Sequence, residues 1–338
     1  MLYEADATME TGSKSAATGA DGAAAGAYLD GMLPGKPIVF IDTSYFVFYR
    51  YYATLRWFTF RNRTADGKPG PAPERPTEDD EFMAAFEKQA RAEIKRVRDM
   101  WGAAPENTVF CYDCSRCDIW RMMIGEDGEL VKITELAEDA VLIAVPLSEA
   151  PCASYKATRV AAANFSGDIF PKFYDMLESG ALGEKLRVAS GASLEADDVV
   201  YGLVRRVYDA AGEGEVAGAV PRVVCISNDN DYLQLRRFAG LLVYNLQDKN
   251  LADRSCGCPE KDLLVKVLSG DKSDNIAPCV KGIGPKTALK MAEMDDEARV
   301  AALVKKGGEA ALLTMKRNRT LVDFRSIPLE LLEKLTLR

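Results

Sequence analysis

Asp271 and Asp274, three residues apart, stand just ahead of a Gly282-Ile283-Gly284 turn and a run carrying Lys286 and Lys290. Carboxylates and a turn built to touch an anion repel the same partner unless something positive lies between them. More carboxylates fall at comparable places. The apolar runs 38–41, 109–112 and 223–227 lead into Asp42, Asp113 and the pair Asp229/Asp231, and "SLEADDVV" sets Glu195, Asp197 and Asp198 at the start of a helical pattern. One such aspartate is ordinarily a helix cap or a turn residue. Nine together need compensating cations, and hard divalent ions with oxygen ligands are the usual answer. Mg²⁺ fits, Mn²⁺ can substitute, and a pair of ions ~4 Å apart would make a centre for phosphodiester hydrolysis. The chain has no histidine, so histidine acid–base and triad chemistry are excluded, leaving carboxylates, metals, Lys, Tyr or Cys.

The elements that must position these groups follow from periodicity. The three apolar runs read as buried strands, and "KLRVAS" as a fourth. Helical patterns occupy residues 80–101, 168–180 and 196–211. Strands alternating with helices predict an α/β fold with a doubly wound, mostly parallel sheet, whose carboxyl strand ends border the ligand crevice. After Asp248 the chain reads as short helices broken by Gly and Pro. Residues 1–35, rich in Ala, Gly, Ser and Thr, read as a disordered extension, and residues 64–80 as a loop.

The 338 residues suffice for a sizeable core. A hydrophobic fraction of 48% with 28% charged residues is that of a folded soluble chain. No apolar stretch is long enough for a membrane span and no export signal is visible, so an intracellular site is expected. The eight cysteines are then reduced, and the spacing of Cys111/Cys114/Cys117 and Cys256/Cys258 fits zinc ligation loosely. The net charge of −8 points away from nucleic acid when taken alone. Nine of the 51 acidic residues would be neutralised at a metal centre, however. Arg50, Arg56, Arg61, Arg63, the basic run at 88–98 and Lys281/Lys286/Lys290 could still line a phosphate track. The run at 88–98 alone reads better as a solvated helix face.

In "VKGIGPKTALKM" the tight turn is followed by Pro285, suited to a first helical position. Small residues let a phosphate approach the backbone, and the helix start offers N–H donors. Joined to "GDKSDNI" upstream, the signal is much stronger than a lone Gly-x-Gly.

With "FIDTS", "CYDCS", "LEADD", "ISNDNDY", "GDKSDNI", "KGIGPKTA" and "RNRTLVDFRSIP", the chain resembles the structure-specific 5′ nuclease family over roughly residues 36 to 330. That family comprises flap endonucleases, phage 5′ exonucleases and the 5′-nuclease domain of bacterial DNA polymerase I. The resemblance implies a PIN-like nuclease core over 36–250, with a helical gateway or insertion near 116–165. A helix–three-turn–helix DNA-binding region would follow over 251–338. It implies two or more divalent ions, with Asp42, Asp113, Glu195, Asp197 and Asp198 lining the first site and Asp229, Asp231, Asp271 and Asp274 extending to the second. The cut would leave a 5′-phosphate and a 3′-hydroxyl. Lys281, Gly282, Ile283, Gly284, Lys286, Thr287 and Lys290 would grip the duplex, with K⁺ on the hairpin carbonyls. Phe48 matches an aromatic that stacks a base at the cleavage site. Lys156 and Arg159 of "YKATR" match gateway cations that contact the scissile phosphate.

Three departures stand out. About thirty residues, 122–151, separate "DIWR" from "YKATR", and "VLIAVPL" within them reads as an added strand. Arg116 or Arg121 could therefore take the gateway role. The N-terminal extension is atypical, and no sliding-clamp motif follows residue 330. The expected partner is DNA with 5′ ends or flaps, RNA primers included, and a monomer is expected, acting where DNA is replicated or repaired. "DTSYFVFYRYYA" and "CSRCDIWR" resemble the branch of large DNA viruses. The alternatives are a PIN-type ribonuclease, which would lack the hairpin, and a degenerate paralogue that binds without cutting, in which the carboxylates would erode.

Overall fold

The computed structural model describes residues 29–115, 118–130, 152, 154–157, 165–183, 186–212 and 221–338. Its centre is a six-stranded sheet in the order β5-β4-β1-β2-β3-β6. The strands are β1 (Ile38–Asp42), β2 (Thr108–Cys111), β3 (Arg187–Ser190), β4 (Val223–Ile226), β5 (Leu242–Tyr244) and β6 (Thr336–Leu337). β1 pairs in parallel with β2 and β4, and only β6 runs antiparallel, against β3. Chain order moves outward from β1 to β2 and β3, then returns to β4 on the other side of β1. The β1/β4 seam is thus the switch point where α/β sheets open a crevice.

Both faces are covered, which is why β1, β2 and β4 read as uninterrupted apolar runs. On one face Val39, Ile41, Phe110 and Val224 pack against α1 (Thr43–Arg61), α2 (Asp80–Trp101) and α3 (Ile169–Glu178). On the other, Phe40, Val109 and Cys225 meet α4 (Ala196–Gly212) and the chain's last residues. α2 shows the local logic: Asp79 caps it by accepting from the Phe82 N–H at 2.8 Å, and Gly102 ends it in the left-handed region.

α5 (Pro259–Ser269), α6 (Pro285–Ala292) and α7 (Asp296–Val322, kinked at Gly308) bury a small core of their own around Leu268, Ile283, Ala288 and Leu303. The expected helical region is present, but its boundary is less clean than 250/251. Phe324 and Leu331, Leu332 and Leu335 around α8 (Leu329–Glu333) return to the main core, and β6 joins the sheet.

The disordered extension expected over 1–35 needs correction at its end. Leu29 and Met32 are buried in the main core, and Asn107 pins Leu33 through both its N–H and its carbonyl. Residues 1–28 lie outside the described residues, as does "VLIAVPL". The described start of the insertion docks on α7, where the Thr320 hydroxyl donates to the Gly128 carbonyl at 2.9 Å.

Candidate active site

Asp42, at the carboxyl end of β1, caps α1 by accepting from the Tyr45 N–H at 2.9 Å. Its other oxygen accepts from the Ser227 and Tyr232 hydroxyls at 3.1 and 3.2 Å. Ser227 follows β4 and itself accepts from the Asp229 N–H, which ties the second strand end to the first. Asp113, past β2, accepts from the Ser44 hydroxyl and from the Ala196 N–H, the latter at 2.9 Å. This brings the β2 end to the start of α4, where Glu195 and Asp197 stand. Asp42, Asp113, Glu195, Asp197 and Asp229 together line one open crevice of about 610 Å³.

A second cavity of about 570 Å³ shares Asn228 and Asp229 with the first and adds Asp231 and Asp271. Asp274 is buried behind them, with Lys156 Nζ 4.0 Å from its carboxylate. Eight of the nine predicted carboxylates therefore border or back the two adjoining cavities.

Asp198 is placed differently. It is fully buried, and its oxygens accept from Arg121 at 2.6 and 2.7 Å, from Trp120 Nε1 at 3.0 Å and from the Glu195 N–H at 3.1 Å. Among the described residues, Glu195, Asp197 and Asp198 are the trio whose ligand atoms lie within 4.8 Å of one another.

The electrostatics separate the carboxylates into two kinds. Burial would raise Glu195, but the charges of Lys156 and Arg121 overcome it and hold Glu195 at about 2. Asp271 is held at about 2 against its burial by Lys266 and Ser273. Where no such partner suffices, the carboxyls move up. Burial, then the nearby Asp113 charge, pushes Asp42 to about 7. Asp231 rises to about 6 by burial despite Lys266. Asp197 rises by burial and the charge of Asp198. Asp113 reaches solvent through the crevice mouth but is otherwise walled by protein, and it too is raised.

Among the described residues, the first crevice thus presents five carboxylates to one ammonium, that of Lys156. A donor set dominated by carboxylate oxygens and short of positive charge fits hard divalent cations. Cys114 lines the crevice as a single thiol, which burial and the charges of Glu195 and Asp113 keep protonated. Cys111 and Cys225 are buried within strands, and the described thiols are free.

Lys156 lines the first crevice. Its backbone is stapled to the 274–275 turn by Lys156 N–H to Asp274 O at 2.8 Å and by Asn275 Nδ2 to Ser154 O at 2.8 Å, and its Nζ bonds Glu195 Oε1. Arg159 and Arg116 lie outside the described residues. Arg121 is corrected: it is buried against Asp198 and Glu195 and so does not face a phosphate. Phe48 lines the crevice 40% exposed, beside Phe165 and Phe170, and is not a buried core ring. In the hairpin, Gly282 adopts φ +94, Ile283 is buried, and Gly284 leads into α6. Lys281, Lys286 and Lys290 are exposed and form no salt bridge among the described residues. The proposed basic track is narrower than expected, because Arg50 and Arg61 pair with Glu93 and Glu81. The run at 88–98 is a salt-bridged outer face: Arg91 pairs with Glu87, Lys95 with Asp99 and Arg96 with Asp248.

Lys266 was not among the expected residues, and it bridges Asp231 and Asp271 while largely buried. Its only sequence signal is a lysine on the inward side of an amphipathic helix, five residues before Asp271. Removing one partner from a buried pair costs about 3 kcal/mol. Lys266→Met is therefore expected to lower the stability of metal-free protein by about that amount, with most of the loss recovered in Mg²⁺. Urea unfolding in EDTA and in Mg²⁺ checks this, and an equal loss in both would show that no cation takes over the ammonium's role.

No family model matches the chain. Ribonuclease H of enterobacteria phage T4 is 28% identical over 147 residues, spanning 40% of this chain and 44% of that protein. The chain thus covers less than half the length of that relative. A phage T5 protein co-crystallised with metal ions superposes with a TM-score of 0.55 at 15% identity, covering 88% of this chain and 96% of the other. The bacteriophage T5 flap endonuclease, in a pseudo-enzyme–product complex with DNA and metal ions, gives the same values. T5 5′-exonuclease with bound zinc gives a TM-score of 0.52 at 14% identity, with the same coverage. The fold of this chain is the one those structures share.

Proposed function

We propose that the chain is a metal-dependent, structure-specific 5′ nuclease that hydrolyses DNA phosphodiesters at 5′ ends or 5′ flaps. The observation that carries this reading is the convergence of Asp42, Asp113, Glu195, Asp197 and Asp229 on one crevice whose one cation among the described residues is Lys156. Mg²⁺ is the cation proposed, held by those groups and, in the adjoining cavity, by Asp231 and Asp271 with Asp274 behind. A divalent cation there supplies Lewis-acid activation and neutralises phosphate charge.

The chain's own residues supply the rest. Phe48 offers its exposed ring to a base next to the scissile bond, since base–aromatic stacking tolerates any sequence. Lys156 stands at the crevice wall to meet charge on the leaving oxygen. The Gly282, Gly284 and Lys286 N–H groups at the turn and the start of α6, with the Lys286 and Lys290 side chains behind them, would meet a duplex backbone. K⁺ at the hairpin carbonyls belongs to the same proposal.

This module favours the 5′ nuclease over a PIN-type ribonuclease. The retained carboxylates disfavour a binding-only paralogue. The test is a 5′-labelled flap duplex incubated with Mg²⁺ and with EDTA. Cleavage near the junction is expected with Mg²⁺ alone, and its loss by at least a hundredfold in Asp229→Asn/Asp231→Asn. Tight binding without cleavage by the wild-type protein would sink the enzyme reading.

A further inference from the structure

We propose that Arg121 is a positioning residue that aims Glu195 at the crevice, and that Asp198 is its anchor and not a metal ligand. The inference rests on the nuclease reading of this site.

Arg121 has five N–H donors in a rigid fork, and the structure aims each nitrogen at an acceptor. Nε donates to the Leu321 carbonyl at 2.7 Å. Nη1 donates to Asp198 Oδ2 at 2.7 Å and to Glu195 Oε2 at 3.0 Å. Nη2 donates to Asp198 Oδ1 at 2.6 Å. The guanidinium is only 2% exposed, under Trp120 on one side. With Trp120 Nε1 and the Glu195 N–H also donating to Asp198, both of that carboxylate's oxygens are engaged inside the protein. Asp198 would have to leave a bidentate pair in a dry pocket to bind a cation, and breaking such a pair is costly.

Glu195 is arranged asymmetrically. Tyr155 donates to Oε2 at 2.9 Å beside Arg121, so two donors hold that oxygen from the protein side. Oε1 is bonded by Lys156, which lines the crevice. The fixed Oε2 sets the side-chain rotamer, and Oε1 is the oxygen presented to a cation. Holding a ligand by its second oxygen is how outer groups tune metal affinity, and losing them costs 10–100-fold. The bond to Leu321, 200 residues away in sequence, also fastens the end of α7 to this point.

The experiment titrates full-length protein with Mn²⁺ by calorimetry and measures flap cleavage alongside. Melting curves establish that each variant is folded. Arg121→Lys keeps the charge but loses the fork, so Mn²⁺ affinity should fall about tenfold. Cleavage should recover toward wild type at saturating metal. If Asp198 were a ligand, this change would release it, and Mn²⁺ affinity would hold or rise. An affinity within threefold of wild type or tighter therefore overturns the proposal.

Should Arg121→Lys fail to fold, Asp198→Asn decides. The bidentate pair is weakened, but the amide oxygen still accepts and Arg121 keeps its Leu321 anchor, so affinity should fall no more than about tenfold and well short of the loss in Asp197→Asn. A loss matching that of Asp197→Asn makes Asp198 a ligand and overturns the proposal. Wild-type protein that neither binds Mn²⁺ nor cuts defeats the nuclease reading instead. Binding and cutting by wild type with the wrong variant pattern defeats only the assignment of Arg121.

Discussion

Asp42→Asn is expected to slow cleavage by roughly a thousandfold while making the metal-free protein more stable at neutral pH. The first effect follows from removing one carboxylate at the seam of β1 and β4. Several kcal/mol of charge stabilisation come through such a ligand set, and about 4 kcal/mol corresponds to a thousandfold. The second follows from burial and crowding, which move Asp42 from 3.8 to about 7. A carboxyl with a raised folded-state pKa binds its proton more tightly folded than unfolded. Its contribution is fully present below pH 3.8 and is lost as pH rises through about 7. Asp231, pushed to about 6, adds in the same direction.

In EDTA, wild-type stability should therefore fall as pH rises from 4 through 7, by on the order of 4 kcal/mol from Asp42. Asparagine keeps the cap on Tyr45, because asparagine serves as well as aspartate at that position, and it removes the repulsion. Urea midpoints at pH 5 and pH 8, in EDTA and then in Mg²⁺, test the stability half. A variant that keeps its activity and is destabilised equally at both pH values would reduce Asp42 to a helix cap.

The strand ends were legible because buried parallel strands are short apolar runs, and a run closed by an aspartate announces itself. Asp42, Asp113 and Asp229 fall on one rim from the sequence pattern alone. β5 and β6 were not legible: three and two residues carry no usable period, and β6 owes its existence to the antiparallel partner that β3 supplies. Residues 29–35 carry too weak a signal beside their Ala/Gly-rich approach, although Leu29, Met32 and Leu33 are apolar and the first two are buried. Arg121, one of the two arginines the sequence offers for the gateway role, stands in "IWRMM" among apolar neighbours. An arginine in that company implies a buried carboxylate, and Asp198 is that carboxylate. Lys266 could not be told from any solvated lysine, because what distinguishes it is the proximity of Asp231, thirty-five residues earlier in the chain.

Lys156→Ala is expected to lower kcat by 10²–10³-fold with a smaller change in KM, the loss typical of one donor aimed at developing negative charge. Two roles compete for this side chain. It balances Glu195 and approaches Asp274, so it acts as a counterion between the two groups of carboxylates. It also lines the crevice where a phosphate would enter. Its backbone decides how freely it can serve both. Lys156 has φ +55, a conformation a non-glycine residue keeps only when its surroundings enforce it, and the staples to Asp274 O and from Asn275 Nδ2 provide that enforcement. A lysine held only as a counterion becomes redundant once divalent cations neutralise Glu195, so saturating Mg²⁺ would restore wild-type kcat in Lys156→Ala. A lysine that meets the leaving oxygen is not replaced by more metal. The deficit should then persist at every Mg²⁺ concentration, and Lys156→Arg should recover part of it by returning the charge with a different reach. Single-turnover cleavage of a flap duplex across a Mg²⁺ series separates the two roles directly.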